Sequence, residues 1–329
     1  MHMSDALVSP AVGITMLVVS AGLIGLSAYK GRKTMDRKTI PMMGVMAALI
    51  FAGQMINFTI PVTGSSGHIG GGILLAAMLG EGPGMMALSA VLLIQAFFFA
   101  DGGLLALGCN IFNMGVWPCL VIFPLIFRPM LKKKISNGRI MAASVISVII
   151  ALQLGAFSVV METLLSGVTA LPFKEFVILM QPIHLAIGAV EGIVTGLILI
   201  FVHNIRPEIL DHTVKGSSVQ GVSTKKLIII LIILAVIIAG GLSLFASTNP
   251  DGLEWAIGHI TNEEALGNGY DVLNSIQDKT SVLPDYGFKD SDTASGTSFS
   301  GLIGGIIVLV LAIAAGAVIT ITKKNKNKE

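Results

Sequence analysis

Long apolar runs separated by short polar breaks organise most of the chain. Stretches of about twenty mainly apolar residues are long enough to cross a bilayer as helices. The first candidate runs from Val8 to Tyr29 and the second from Ile40 to Phe58. A short apolar piece, 72–80, precedes Met85 to Ala100; it is too brief to cross alone and must be tilted or enclosed by protein. Leu104–Phe127, Ile140–Leu165 and Phe176–His203 follow. After a polar linker come Leu227–Ala246 and Gly301–Thr322. The pattern predicts an all-α polytopic membrane protein: seven helices in 1–206, a linker at 207–226, and a two-helix unit at 227–322 with an outer loop at 248–300. A basic tail, 323–329, ends the chain.

Composition agrees. Hydrophobic residues make up 53% of 329 and charged residues 12%, about half the charged share of a soluble domain. The mean hydropathy is +0.85. The net charge of +2 hides a segregation that orients the chain. Lys30, Arg32, Lys33, Arg37 and Lys38 follow the first span, Arg128, Lys132, Lys133, Lys134 and Arg139 the fifth, and Lys323, Lys324, Lys326 and Lys328 the last. The positive-inside rule puts these ends in the cytoplasm. The N-terminus is then outside and the C-terminus inside the cell membrane, with Lys174, Lys279 and Lys289 as exceptions. Met1–Pro10 carries Asp5 but no Lys or Arg, unlike a cleavable signal peptide.

Candidate chemistry gathers on the outer side. A chain beginning Met1-His2 offers the α-amine, the backbone nitrogen of residue 2 and an imidazole, which close two small chelate rings around one ion. His68, in the Gly- and Ser-rich loop 64–72, falls on the same side and can add a fourth nitrogen. Four nitrogens near a plane suit Ni²⁺ or Cu²⁺ better than tetrahedral Zn²⁺. Both the amine, near ~8, and the imidazole, near ~6.5, must lose protons to bind, so affinity should weaken as pH falls through the ~6 to ~5 region. A histidine at position 2 and another in a surface loop are also common with no role.

Asp5 and Asp101 can orient a ligand imidazole, and Asp5 can equally cap the first span. Asn110 and Asn113, one turn apart, share a helix face and need polar partners. Glu162 has the same ambiguity as Asp5. His184 and Glu191, seven residues apart, share one face and form a possible intramembrane polar pair. Cys109, Cys119 and the scattered methionines read as packing. The acids of 248–300 lack calcium-loop spacing and read as a solvated loop. No phosphate-binding Gly-x-x-x-x-Gly-Lys-Ser/Thr motif occurs, so the chain is not expected to hydrolyse ATP or to be an enzyme. No cofactor and no nucleic acid is called for; the lipid bilayer is the surrounding partner.

Met1-His2 with Asp5 and Ser9-Pro10, Gly64-Ser65-Ser66-Gly67-His68, Asp101-Gly102-Gly103-Leu104 through Asn110-Ile111-Phe112-Asn113-Met114, and Pro182-Ile183-His184 with Glu191-Gly192 together resemble the substrate-binding membrane component of nickel/cobalt energy-coupling-factor transporters. Asn249-Pro250-Asp251-Gly252-Leu253-Glu254 and Pro284-Asp285-Tyr286-Gly287 resemble its small two-span partner, here fused. The resemblance implies that Met1, His2 and His68 hold Ni²⁺ or Co²⁺ as cargo, with Asp5, Asp101, Asn110 and Asn113 in support. It also implies a separate membrane coupling component and cytoplasmic ATPase subunits as partners. Cys109 departs from the Ala usual in such proteins. The Gly-Ser-Ser-Gly-His loop favours nickel; cobalt uptake for cobalamin biosynthesis is the alternative. A secondary transporter using His184 and Glu191, or a membrane sensor, are readings from other classes.

Overall fold

The computed structural model describes residues 1–34, 39–61, 63–216, 224–261, 270–289 and 294–326, with side chains left out at 32–34, 294 and 321–326. Several basic and acidic positions used above, Arg37, Lys38, Glu263, Glu264, Asp290, Asp292 and Lys328 among them, lie outside the described residues.

The chain is an all-α membrane protein. Its helices are α1 (Pro10–Thr34), α2 (Thr39–Gln54), α3 (Gly72–Leu79) and α4 (Glu81–Phe98). Next come α5 (Leu107–Lys132), α6 (Asn137–Ser166) and α7 (Phe173–Ile205). Then follow α8 (Pro207–Lys215), α9 (Lys225–Gly240), α10 (Gly252–Ile260), α11 (Asp271–Thr280) and α12 (Ala294–Lys326). Six of them, α1, α4, α5, α6, α7 and α12, are long and apolar enough to cross a membrane, and α2 is an apolar helix of 16 residues. The only sheet among the described residues is the hairpin β1 (Phe58–Thr59) with β2 (Ser66–Gly67), which frames the loop leading to His68.

Helix α3 resolves the short apolar piece. Its eight residues rise about 12 Å and every one is buried, so it is enclosed rather than spanning. A tight turn at Gly80 joins it to α4, and Pro83 sits in the first turn of α4, where its missing N–H costs nothing. Glu81 there pairs with Arg128 of α5 at 2.7 Å. Part of α5, Phe112–Phe127, winds as a π-helix around Pro118 and Pro124, residues that cannot make the regular i to i−4 bond.

α6 and α7 form a long antiparallel pair. The α7 glycines 188, 192 and 196 allow it: an added Cβ at Gly192 would stand 2.6 Å from Val145 Cα. Small residues four apart let membrane helices approach backbone to backbone. α9 and α12 pack on α2, where Ile313 and Leu309 of α12 fill the space beside Gly44. Their other faces, with Ile229, Val236, Ile306 and Val310 exposed, suit lipid.

Two polar stretches are more ordered than their composition suggests. The stretch read as a linker begins with α8, which buries Ile209, Leu210 and Val214 and bonds Thr213 Oγ1 to the Ala77 carbonyl of α3 at 2.7 Å. The stretch read as a solvated outer loop contains α10 and α11. Val282 and Leu283 donate backbone N–H groups to Phe98 O, and Asp285 to Phe99 O, fastening it over the end of α4.

Candidate metal site

The N-terminal tripeptide runs as an irregular strand into the bundle. Met1 and Met3 are buried. Met3 is gripped by one side chain: its N–H donates to Asn110 Oδ1 at 2.8 Å and its carbonyl accepts from Asn110 Nδ2 at 3.1 Å. The same carbonyl accepts from the Gly103 N–H at 2.9 Å. A side chain at Gly103 would collide with Asp5, and Gly102 holds φ +87°, so the Asp-Gly-Gly turn needs both glycines. Asp5 does not cap the first span. Its Oδ1 accepts from the N–H groups of Leu105 and Ala106 at 2.8 and 3.0 Å, ahead of α5. Burial pushes its carboxyl above the usual range, and those N–H groups oppose the rise.

This grip delivers His2 to His68. The two rings lie 5.2 Å apart, centroid to centroid, with planes 21° from parallel. Two imidazoles bound side by side to one metal, at metal–N distances of about 2.0–2.1 Å, put their centroids roughly 4.5 Å apart. His68 Nδ1 is 3.1 Å from its neighbour's carbonyl, Ile69 O, so it carries the proton and leaves the Nε2 lone pair for a ligand. His2 Nδ1 lies 3.2 Å from Asp101 Oδ1, and its buried Nε2 has no partner. A chelate through the amine and the residue 2 backbone nitrogen closes its six-membered ring through Nδ1. A metal held in that way would take the place of the Asp101 contact. Burial lowers the affinity of both rings for protons, and the N-terminal ammonium adds to the effect; His68 is pushed down to about 4, while Asp101 partly offsets the shift at His2. His68 is thus neutral at lower pH than a free histidine, which moves its expected titration below the pH 6 to 5 window, and His2 shifts in the same direction.

The fused segment supplies what sequence reasoning missed. The Met1 ammonium donates to Asp251 Oδ2 at 2.9 Å. Burial alone would raise the Asp251 carboxyl, but the ammonium and the Glu254 N–H outweigh it and hold it well below the usual range. Tyr286 donates to Asp101 Oδ2 at 2.5 Å, bracing the carboxylate that faces His2. A cavity of about 570 Å³ opens over His2 and His68, and Asp101, Asp251, Glu254 and Asp285 are in its wall; no Lys or Arg is among the described residues lining it. Such a wall draws cations in. The signal for Asp251 was present as Asp251-Gly252-Leu253-Glu254, the spacing of a capping box. Tyr286 carried no comparable signal.

His184 and Glu191 do not pair. Glu191 accepts from the Gly70 and Gly71 N–H groups, each at 2.8 Å, satisfying irregular backbone inside the bundle. His184 Nδ1 is bonded to Met180 O at 2.8 Å in its own helix, and its ring lines a small cavity with Met1, His68 and Asp251. Glu162 accepts from Asn113 Nδ2 at 2.7 Å, and Asn113 also approaches the Met3 sulfur. Among the described residues no three His, Cys, Asp or Glu side chains cluster to hold a metal. What the fold brings together here is two imidazoles beside the N-terminal amine.

Comparison with known proteins places the chain. It is 30% identical over 311 residues to a protein of Archaeoglobus fulgidus described as a fused nickel transport protein, covering 94% of this chain and 96% of that one. It is 26% identical to a cobalt transport protein of Geobacter sulfurreducens, covering 64% of this chain and 61% of the other. The crystal structure of a truncated transition metal transporter superposes with a TM-score of 0.55 at 29% identity, over 62% of this chain and 99% of that one. These relatives are transport proteins. A PDGLE domain matches residues 225–321. With residues 2–209 matching the cobalt uptake substrate-specific transmembrane region, the chain belongs to the CbiM family and carries a PDGLE domain fused behind it.

Proposed function

We propose that the chain is the substrate-specific component of an ATP-driven uptake transporter for nickel or cobalt. It captures the divalent ion on the outer side with the Met1 amine, the His2 backbone nitrogen, His2 Nδ1 and His68 Nε2. The observation that carries this reading is the juxtaposition of two half-buried imidazoles 5.2 Å apart beside a buried N-terminal ammonium. Nitrogen donors of this kind suit both ions. Nickel leads because the similar Archaeoglobus fulgidus protein is described as a nickel transporter and is fused in the same way; cobalt is the alternative, as in the Geobacter sulfurreducens relative.

In this reading Asn110 and the Asp101-Gly102-Gly103 turn position the N-terminal strand, Asn113 and Asp5 brace it, and Glu191 holds the loop that presents His68. The chain performs capture, while a membrane coupling component and cytoplasmic ATPase subunits supply the energy. The acidic wall lies outside and the basic helix ends inside the plasma membrane. Glu191, already engaged by two N–H groups, is poorly placed to carry a transported proton.

The test is His2→Gln in the full chain, with the N-terminal sequence verified by mass spectrometry. Separate calorimetric titrations with Ni²⁺ and Co²⁺ should lose high-affinity binding, because the imidazole that closes the second chelate ring is gone. Unchanged affinity in this variant would overturn the proposed ligand set.

A further inference from the structure

Resting on the reading that the Met1 amine is a ligand, we propose that Asp251 of the fused segment is the positioning residue that sets where this amine stands in the chelate. Its two oxygens divide the work. Oδ2 accepts from the Met1 ammonium at 2.9 Å. Oδ1 accepts from the Leu253 and Glu254 N–H groups at 2.8 Å each, capping α10. The Asp251 N–H returns a bond to Glu254 Oε2 at 3.1 Å, closing the capping box. The carboxylate is therefore fixed from both sides, and it points at the terminus without a rotamer to search.

The same strip of chain holds the other half of the site. Ser66 donates its N–H to Pro250 O at 2.8 Å and its hydroxyl to Asn249 O at 2.8 Å. Ser247 N–H donates to Asn57 O at 2.7 Å, at the start of the hairpin that carries His68. Residues 247–251 thus lie against the His68 loop while Asp251 holds the amine, so both donors are referenced to one piece of backbone. That piece is seated on α7: a Cβ at Gly252 would meet Ile183 and His184 at 2.7 and 3.2 Å.

Asn110 anchors the strand only at Met3. Residues 1 and 2 beyond it are a chain end, which is poorly ordered unless tied down. A coordinated amine keeps two N–H groups, so Oδ2 continues to accept from it once the metal is bound. Partners of this type orient a ligand and raise its basicity, and their removal weakens metal affinity by about 10- to 100-fold.

The experiment uses the full chain in detergent with Ni²⁺ alone. Asp251→Asn retains an oxygen to cap α10 but loses the charge facing the amine; Asp251→Ser retains a cap but is too short to reach it. Both should stay folded, giving up only the share of stability that the ion pair to the ammonium contributes, and bind Ni²⁺ about 10- to 100-fold more weakly. Their Ni²⁺ absorption band should shift to longer wavelength, and the Met1 amine should react faster with an acylating reagent in the absence of metal. Asp251→Glu, whose longer carboxylate still reaches the amine, should recover part of the loss. Parental affinity, band position and acylation rate in Asp251→Asn overturn the proposal. His68→Gln, measured alongside, separates the two ideas: if it binds Ni²⁺ like the parent the ligand set itself fails, whereas if it loses binding while Asp251→Asn does not, only the role of Asp251 falls.

Discussion

Glu191 and Asp251 each hold irregular backbone beside the His2–His68 pair, but they come from different parts of the chain and answer different needs. Glu191 projects from α7 and takes two N–H groups of the loop below His68. Those groups are buried where water and regular structure cannot serve them, so the carboxylate is part of what lets the loop exist at that depth. Asp251 projects from the fused segment and takes a charged chain end on the wall of an open cavity. The first contact supports the fold of the CbiM-type bundle; the second, in the role proposed for it, adjusts the site. One residue type, with similar bond lengths, should therefore give mainly a loss of stability in one place and mainly a loss of affinity in the other.

The strongest way to break this contrast is Glu191→Ala. Two buried N–H groups would be left without acceptors, each bond to a charged group being worth about 1.5–3 kcal/mol. Thermal unfolding in detergent should show a destabilisation of several kcal/mol, roughly the sum of the two, with Ni²⁺ binding lost as a consequence. A variant with parental stability would make Glu191 no more structural than Asp251.

Asn110→Ala sits between the two cases. It strips the Met3 N–H and carbonyl of one partner each, although the Gly103 N–H still serves the carbonyl. A cost of about 1–3 kcal/mol follows from the orphaned N–H. Metal affinity should fall as well, because the grip that delivers His2 is gone. Loss of stability with parental affinity would show that the strand is placed by other contacts.

A further effect concerns acid. A histidine held near pKa 4, against about 6.5 unfolded, keeps its full contribution to stability above the unfolded value and loses it as pH falls from there towards about 4. Asp251, whose carboxyl is depressed as well, retains its contribution until pH drops below about 3.9. Stability should therefore decline modestly between these limits through the imidazoles, as measured by unfolding at stepped pH. His68, held near 4, is already unprotonated at pH 6, so Ni²⁺ binding there should release no proton from that ring. Calorimetry in buffers of different ionisation enthalpy counts the protons released; a release of four would place the histidines back at ordinary values.

Most of the helical architecture could be read from hydropathy, because a bilayer demands long apolar runs and leaves little latitude in how they fold. The enclosed α3 was visible as a run too short to span. The pairing of His2 with His68 was visible too, since charge placed both on one side and a motif tied them together. What stayed hidden were contacts that depend on tertiary closure. His184 and Glu191 share a helix face by arithmetic, yet one turns to its own backbone and the other to a distant loop. Asp251 stood out in sequence as the head of a capping-box spacing, but its hold on the chain terminus depends on tertiary closure. Asp5 stands near α1 in sequence but serves α5, because the Asp-Gly-Gly turn brings that backbone to it.

Helix α3 is pinned at both ends. The glycines just ahead of it are tied to Glu191, and its Ala77 carbonyl is tied to Thr213 of α8. A single helix two turns long thus gives the loop that presents His68 and the polar helix α8 one shared point of reference.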